Sequence, residues 1–344
     1  MKNIYDLNKL QLMKIIENEK LPRFRTKQIW KWLYDKRVNT FVEMKNIDKK
    51  TCDFLEKNFY IPKYEVLETQ TDNEDGTIKI LLDLDGDTIE AVLMEQKYGF
   101  SVCVTTQIGC KIGCSFCASH LGGFNRNLTP GEIVAQVLHF QKLLDKEEKR
   151  VSHIVIMGIG EPLDNLNNVL DFIDIINDDE GLNIGARHIT LSTSGIVPQI
   201  RAFAKYDKQV NLAISLHAPN NKIRSELMKI NDIYPVEEVL DAMNYYIQKT
   251  NRRVSLEYIM LDKVNDSRET AEELCALIRG LNVHVNLIAF NPVDEFNYQK
   301  SSDDKIKQFE KVLLSKKIQV SVRKPKGKKI DGACGQLRYK NKND

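Results

Sequence analysis

The sequence contains no apolar run approaching the ~18 residues that a membrane-spanning helix requires, so none is expected. Its first twenty residues, MKNIYDLNKLQLMKIIENEK, interleave charge throughout and hold no apolar h-region, so they are not expected to act as a signal peptide. Together these absences predict a soluble, cytoplasmic protein. An excess of one charge is missing too. With 50 basic and 48 acidic residues the net charge is +2, so the global balance points to no particular partner. No internal repeat is present. The sole low-complexity stretch is the polar tail Lys340-Asn341-Lys342-Asn343-Asp344, predicted to fray over 341–344. The seven cysteines are an odd number with no export signal, which argues against a disulfide framework.

What is present is an ordinary globular composition, 42% hydrophobic and 28% charged over 344 residues. That supports a sizeable core and either one large domain with an appendage or two domains. Residues 1–62 read as helical: Leu7, Leu10, Leu12, Ile15 and Ile16 form one apolar face, and residues 27–34 form a helix with basic and aromatic faces. Residues 63–98 read as a β extension, with strands at 77–82 and 88–94 around the turn Asp85-Gly86-Asp87. From 99 to 340 strands and helices alternate. Strands are predicted at 101–107, 152–157, 187–192, 210–216, 253–260, 283–290 and 317–322. Helices are predicted at 129–144, 165–177, 197–206, 235–248, 266–280 and 302–315. Such alternation implies an α/β fold built on a parallel sheet, most simply a full or partial TIM-type barrel. Its chemistry would then sit at the C-terminal ends of the strands.

Three cysteines, Cys110, Cys114 and Cys117, fall within eight residues just after the first barrel strand, and Gly109 and Gly113 let their loop wrap closely. Structural zinc wants four ligands, usually as separated pairs. Here there is no second pair and no His-x-x-x-His. Three thiolates suit a 4Fe-4S cluster whose remaining iron is open to an outside ligand. The competing reading is a zinc site completed by His120 or Cys334, in a non-catalytic RNA-binding protein. The spacing, with Phe116 before the last cysteine, resembles the radical S-adenosylmethionine (SAM) signature.

A second signal, Met157-Gly158-Ile159-Gly160-Glu161-Pro162, ends the second barrel strand. Its glycines let a ligand approach the backbone, and Glu161 is able to accept hydrogen bonds from an ammonium. Beside the cysteine loop it looks like a seat for the amino group of SAM. Later strand ends supply Ser192 to Gly195, then Ser215, Leu216 and His217, then Asn291 with Phe290, Pro292 and Val293. Singly such residues are more often caps than ligands; their recurrence at successive strand ends favours cofactor contacts.

The stretches MGIGEPLDN (157–165), GFNRNLTPGEIVAQV (123–137), STSGIVP (192–198), AISLHAPN (213–220) and Ala333 to Arg338 resemble the RlmN family over nearly the whole chain. That resemblance implies a radical SAM methyltransferase acting on C2 of an adenine in 23S rRNA, and in some members in tRNA, with two SAM molecules per turnover and an electron donor such as flavodoxin or ferredoxin. It implies that Cys334 carries the methyl as S-methylcysteine and bonds through it to C2. Cys103 then resolves the thioether in a transient disulfide, after Glu90 removes the C2 proton. A sister family, Cfr, methylates C8 of the same adenine. Pro162 and the pair Asn125-Arg126 favour the C2 assignment. Two segments depart from the family pattern: Met228 to Asn231, where proline is common at Lys229, and the basic run 324–329.

By the residues alone, Cys103 is able to face the barrel mouth, and Cys334 sits between Gly332 and Gly335 in a flexible loop. Each is equally readable as a packing or tail thiol, since free cysteine behaves as a small hydrophobe. Glu90 shares a strand face with Val92 and Met94, so burial is expected to raise its pKa and make it a base; the plainer reading is a solvent-facing glutamate. Cys52 and Cys275 read as packing residues, His139, His153, His188 and His284 receive no role, and His120 stays open. Residues 23–37 hold six basic side chains with Phe24, Trp30, Trp32 and Tyr34 interleaved, and 321–341 hold seven basic side chains and one acid. Both resemble phosphate-binding footprints, although the tryptophans read equally as core.

Overall fold

The computed structural model describes residues 1–292, 295–324, 326–327 and 329–343. Of the sequence expectations, Val293, part of the lysine-rich run (Pro325 and Lys328) and the terminal Asp344 lie outside the described residues. Three helices open the chain: α1 (Lys9–Asn18), α2 (Phe24–Tyr34) and α3 (Lys49–Asn58). Three antiparallel strands follow: β1 (Glu65–Asp72), β2 (Thr77–Leu84) and β3 (Asp87–Gln96).

The alternating region then supplies β4 (Gly99–Cys103), α4 (Pro130–Asp145), β5 (Val151–Ile156), α5 (Leu166–Asn177), β6 (Ile189–Thr193), α6 (Val197–Phe203) and β7 (Asn211–Ser215). It continues with α7 (Asn221–Leu227), α8 (Val236–Thr250), β8 (Val254–Met260), α9 (Arg268–Leu277), β9 (Val283–Ala289), α10 (Asp303–Ser315) and β10 (Gln319–Arg323). Helix α11 (Gln336–Asn343) ends the described chain. The stretch 341–343, expected to fray, is therefore helical.

These ten strands form one sheet in chain order, antiparallel from β1 to β4 and parallel from β4 to β10; two short two-stranded pairs, Lys2–Asn3 with Phe59–Tyr60 and Gln107–Ile108 with Arg126–Asn127, stand apart from it. Among the described residues β1 and β10 are its two ends, so the barrel is open, and the β extension continues the barrel sheet. The helices follow from capping and periodicity. Thr129 and Glu132 form a capping box ahead of Pro130 at the start of α4. Val169, Phe172, Ile173 and Ile176 recur at helical spacing and bury one face of α5. Asn251, in the left-handed conformation at φ 53°, stops α8.

The first barrel strand ends earlier than the expected 107. Beyond Cys103 the backbone leaves the ladder to bond the loop after β5, with the Thr106 and Gln107 N–H groups donating to the Ile159 carbonyl at 3.0 and 3.3 Å. The N-terminal helices share the barrel's apolar core through Ile4, Leu12, Ile29 and Trp30. Asp6 accepts from the Gly131 N–H at 3.0 Å, and Lys9 pairs with Asp178 at 2.9 Å.

Candidate active site

The C-terminal ends of the parallel strands surround a cavity of about 400 Å³, within the range of small-ligand sites. Cys103, Cys110, Cys114, Cys117 and Cys334 all line it. The remaining two cysteines are packing residues: the Cys52 thiol lies against the Phe41 and Ile47 carbonyls, and Cys275 is buried in α9.

Local chain geometry builds the cysteine loop. Gly109 has φ +80°, and a Cβ there would meet the Gly123 carbonyl oxygen at 1.6 Å, so only glycine lets the loop close on itself. Ser115 N–H donates to the Leu227 carbonyl at 2.9 Å, which docks the loop on α7. Ile112, Cys114 and Phe116 pack on Leu227, Met228, Ile230, Leu261 and Phe290. Without proline at Lys229, residues Lys229–Asp232 form a 3-10 turn whose Asn231 accepts from Arg224 at 3.1 Å. Burial pushes the Cys110 thiol up to about 12 and the Cys114 thiol well above its usual range. Thiols held neutral this way become thiolate ligands only when a cation supplies compensating charge. Among the described residues no three His, Cys, Asp or Glu side chains are placed to hold a single metal ion. The three thiols stand instead around a cavity wall, a donor set that fits a multi-iron cluster better than one zinc ion. His120 does not line the cavity: its Nδ1 lies 2.6 Å from the Cys117 carbonyl and its ring stacks on Phe296.

Opposite the loop, Gly160 has φ +106° and a Cβ there would reach Gln107 at 2.6 Å. Glu161 is buried and already accepts from the Leu163 and Ser194 N–H groups at 3.0 and 2.7 Å. Burial raises its carboxyl pKa, and the bonds from Ser194 oppose that rise. Ser192 and Ser215 face the cavity with their hydroxyls 3.4 Å apart. His217 lines it at φ +59°, edge-on to Phe116; burial lowers its imidazole to about 3, and its Nδ1 accepts from the Ile259 N–H. Two expected contacts are not on the wall. Leu216 is fully buried in the core, its N–H donating to the Glu257 carbonyl and its own carbonyl accepting from Arg224. Asn291 is exposed and stands near Gly332.

The lone cysteines meet across this cavity. The Cys334 thiol donates to the Met157 carbonyl at 3.5 Å, and the Cys103 thiol lies beside the Met157 backbone. Burial raises the Cys103 thiol to about 11. Cys334 presents surface to the cavity, yet its sulfur is deep enough for burial to raise its pKa strongly. Glu90 is buried as expected, but not alone in apolar surroundings. It pairs with Lys79 at 2.8 Å and accepts from the Gly335 and Arg338 N–H groups at 2.9 and 2.6 Å. Sequence reasoning missed Lys79. The available signal was a lysine inside the apolar run 78–82, on the strand that pairs with Glu90's strand; Leu81 lies opposite Glu90 and Lys79 is its diagonal neighbour. Also missed were Arg224, wholly buried with its guanidinium on the Ser194, Ser215 and Leu216 carbonyls, and Glu257 with Arg323 on the wall.

Of the basic footprints, Trp30 and Tyr34 are core residues, and Trp32 donates to Asn46 at 2.5 Å. Phe24 is 58% exposed with the Arg25 guanidinium over its ring. Arg25, Lys27 and Arg37 are ion-paired, whereas Lys31 is exposed. In the C-terminal segment Lys329 pairs with Glu74 and Lys326 donates to the Glu95 carbonyl, while Lys324 is exposed. Asn125 and Arg126 both bond Asp87, and Arg126 also forms a bidentate pair with Glu132.

Residues 104–275 match the Radical SAM superfamily, and residues 2–61 match the Ribosomal RNA large subunit methyltransferase N-terminal domain. A Bacillus velezensis protein carrying the name "Probable dual-specificity RNA methyltransferase RlmN" is 54% identical over 331 residues, covering 96% of this chain and 91% of the relative. The chain belongs to the RlmN family. A Staphylococcus aureus protein of the same name is 52% identical over 339 residues, covering 98% of this chain and 93% of its own. The crystal structure of a radical SAM methyltransferase from Sphaerobacter thermophilus superposes with a TM-score of 0.93 at 39% identity, covering 98% of this chain and 99% of the other. The fold is therefore that of a radical SAM enzyme, and membership of the superfamily implies a 4Fe-4S cluster and SAM. No helix among the described residues is long and apolar enough to cross a membrane.

Proposed function

We propose that this cavity methylates C2 of an adenine in RNA, in the peptidyl-transferase centre of 23S rRNA and 3′ of the tRNA anticodon, using Cys334 as carrier and Cys103 as resolving thiol. The observation that carries the reading is the meeting of these two thiols at Met157, in the cavity that also holds Cys110, Cys114 and Cys117. Those three cysteines would ligate the cluster, while Gly160, Glu161, Ser192, Ser215 and His217 would hold SAM. Once bound, the cluster and SAM supply a hydrogen-abstracting carbon radical and, from a second SAM, the methyl group.

The remaining steps belong to the chain. The Cys334 sulfur takes the methyl by displacement and releases its proton. Loss of one hydrogen atom from that methyl leaves a methylene radical, which bonds to C2. The adduct gives up one electron, which the bound cluster would take back, and Glu90 takes the C2 proton. The Cys103 thiolate then attacks the Cys334 sulfur; the carbon–sulfur bond breaks, its electron pair takes a proton at the methylene, and the product leaves with a Cys103–Cys334 disulfide behind. An electron donor of the flavodoxin or ferredoxin kind would reduce the cluster, and an external dithiol, supplying two electrons and two protons, restores both thiols. Residues 1–62 and the C-terminal basic segment would approach the phosphate backbone in the cytoplasm.

Mass spectrometry of rRNA and tRNA digests from cells with and without the gene tests this. The expected result is 2-methyladenosine that vanishes with the gene. Loss of 8-methyladenosine alone would move the chain to the C8 chemistry, and no change in either would overturn the reading.

A further inference from the structure

Lys79 is 1% exposed and its ammonium has three acceptors. They are a Glu90 carboxylate oxygen at 2.8 Å, the Asp331 carbonyl at 2.5 Å and the Ala333 carbonyl at 2.9 Å. An ammonium carries three donors, so all are used. Glu90 in turn accepts from the Gly335 and Arg338 N–H groups. The peptide before Cys334 thus gives its carbonyl to Lys79, and the peptide after it gives its N–H to Glu90. Both peptide groups flanking the thiol are held by the two members of one buried ion pair. The partial charges match, carbonyl to cation and N–H to anion, which makes these bonds charge-assisted. At its far end the loop is also held by Gln70, which accepts from the Asp331 N–H at 2.9 Å and donates to the Asp331 carboxylate at 2.9 Å, and by Lys340 on that carboxylate; nearer the thiol the other side-chain contacts are weak, the Ala333 N–H on Gln336 Oε1 and Ser119 Oγ on the Cys334 carbonyl, both at 3.4 Å.

We propose that Lys79 is a positioning residue for the two-cysteine reaction: with Glu90 it docks the 331–335 loop and so sets the Cys334 thiol beside Cys103. This rests on the reading of Cys334 as carrier and Cys103 as resolving thiol. Lys79 bonds neither thiol; it acts on Cys334 through the backbone it holds, beside its contact with the Glu90 carboxylate. Removing its charge leaves two carbonyls without their donor and the Glu90 carboxylate without its cation, and the loop swings away from Met157.

The test measures the rate of Cys103–Cys334 disulfide formation by diamide, which takes the two hydrogens, in the cluster-loaded enzyme. Mass spectrometry maps the bond, and iodoacetamide labelling of Cys52 and Cys275 reports general loosening. Lys79→Met is expected to slow the cross-link at least about tenfold, as a loop shifted out of its docked state by that population would. Iron content and the labelling of Cys52 and Cys275 should stay at wild-type levels. Lys79→Arg keeps the charge but carries a planar fork in place of three radiating donors, and is expected to fall between. An unchanged cross-linking rate in Lys79→Met overturns the proposal. So does a slower rate accompanied by equally faster labelling at Cys52 and Cys275, which marks a merely structural lysine. Where Lys79→Met fails to fold, Lys79→Arg decides by the same criteria. Methylation of wild-type Cys334, read by peptide mass, tests the carrier role separately, so failure of either idea is visible without the other.

Discussion

Cys103 and Cys334 converge on the backbone of Met157, one from the end of β4 and the other from the loop ahead of α11. Met157 itself follows β5 and opens the glycine-rich turn that holds Glu161. The proposed resolving thiol and the proposed seat for SAM are thereby tied to the ends of adjacent strands, β4 and β5, and the proposed carrier thiol is brought to them by the loop ahead of α11.

Resolution should depend on pH through Cys103. Its thiol is raised to about 11 by burial, and the thiolate is the nucleophile. The thiolate fraction therefore rises roughly tenfold per pH unit until the pH reaches the thiol's own value. Single-turnover release of RNA from the enzyme should accelerate from pH 7 to 9 by up to about a hundredfold if this step limits. A flat profile in release, with methyl transfer to Cys334 unaffected, would remove Cys103 deprotonation from the slow step.

Glu90→Ala should destabilise the protein as well as stall it. The substitution leaves the Lys79 ammonium buried without its carboxylate, a change that typically costs about 3–5 kcal/mol. The double variant Lys79→Met, Glu90→Gln should recover part of that loss. Urea unfolding midpoints compare the two, and equal stabilities for Glu90→Ala and wild type would mean the pair contributes nothing.

Gly160→Ala should weaken SAM binding while leaving the barrel folded. The residue has φ +106° and a Cβ would meet Gln107 at 2.6 Å, so the turn carrying Glu161 must shift. A strain on the order of 1–3 kcal/mol corresponds to roughly 5- to 150-fold in affinity. Equilibrium dialysis with SAM measures it, and unchanged affinity would place the cofactor elsewhere.

Much of this was legible in the sequence because periodicity is local. The alternating strands and helices fall close to their expected ranges, and the three cluster cysteines, Gly160, Glu161, Ser192, Ser215 and His217 all line one cavity. What was not legible arises between elements distant in the chain. Lys79 reads as a lone charge on a strand until the 331–335 loop folds over it. Leu216 sits between two cavity-lining residues yet points into the core, an alternation that a strand-end motif does not reveal. The tryptophans of α2 show how an aromatic and basic run is divided by burial: Trp30 is core, and Phe24, less conspicuous in sequence, is exposed.

Phosphate contacts in the C-terminal segment should fall chiefly to Lys324, since Lys326 and Lys329 already have protein partners. Lys324→Ala and Lys31→Ala should each flatten the log–log salt dependence of RNA affinity by roughly 0.7–0.9. Lys329→Ala should change it less. Filter binding over a salt series distinguishes them, and equal slopes for all variants would leave RNA attraction to other surfaces.

The two-cysteine account stands or falls on Cys103→Ala. This variant keeps Cys334 and Glu90, so methyl transfer and bond formation to C2 proceed, but no thiolate remains to release the product. Enzyme loaded with cluster, SAM, reductant and substrate RNA should then migrate as a slow band that survives denaturation, collapses on ribonuclease treatment and maps by peptide mass to Cys334. Cys334→Ala should form no band and carry no methyl. Normal turnover by Cys103→Ala, or an adduct on any residue other than Cys334, would contradict the mechanism.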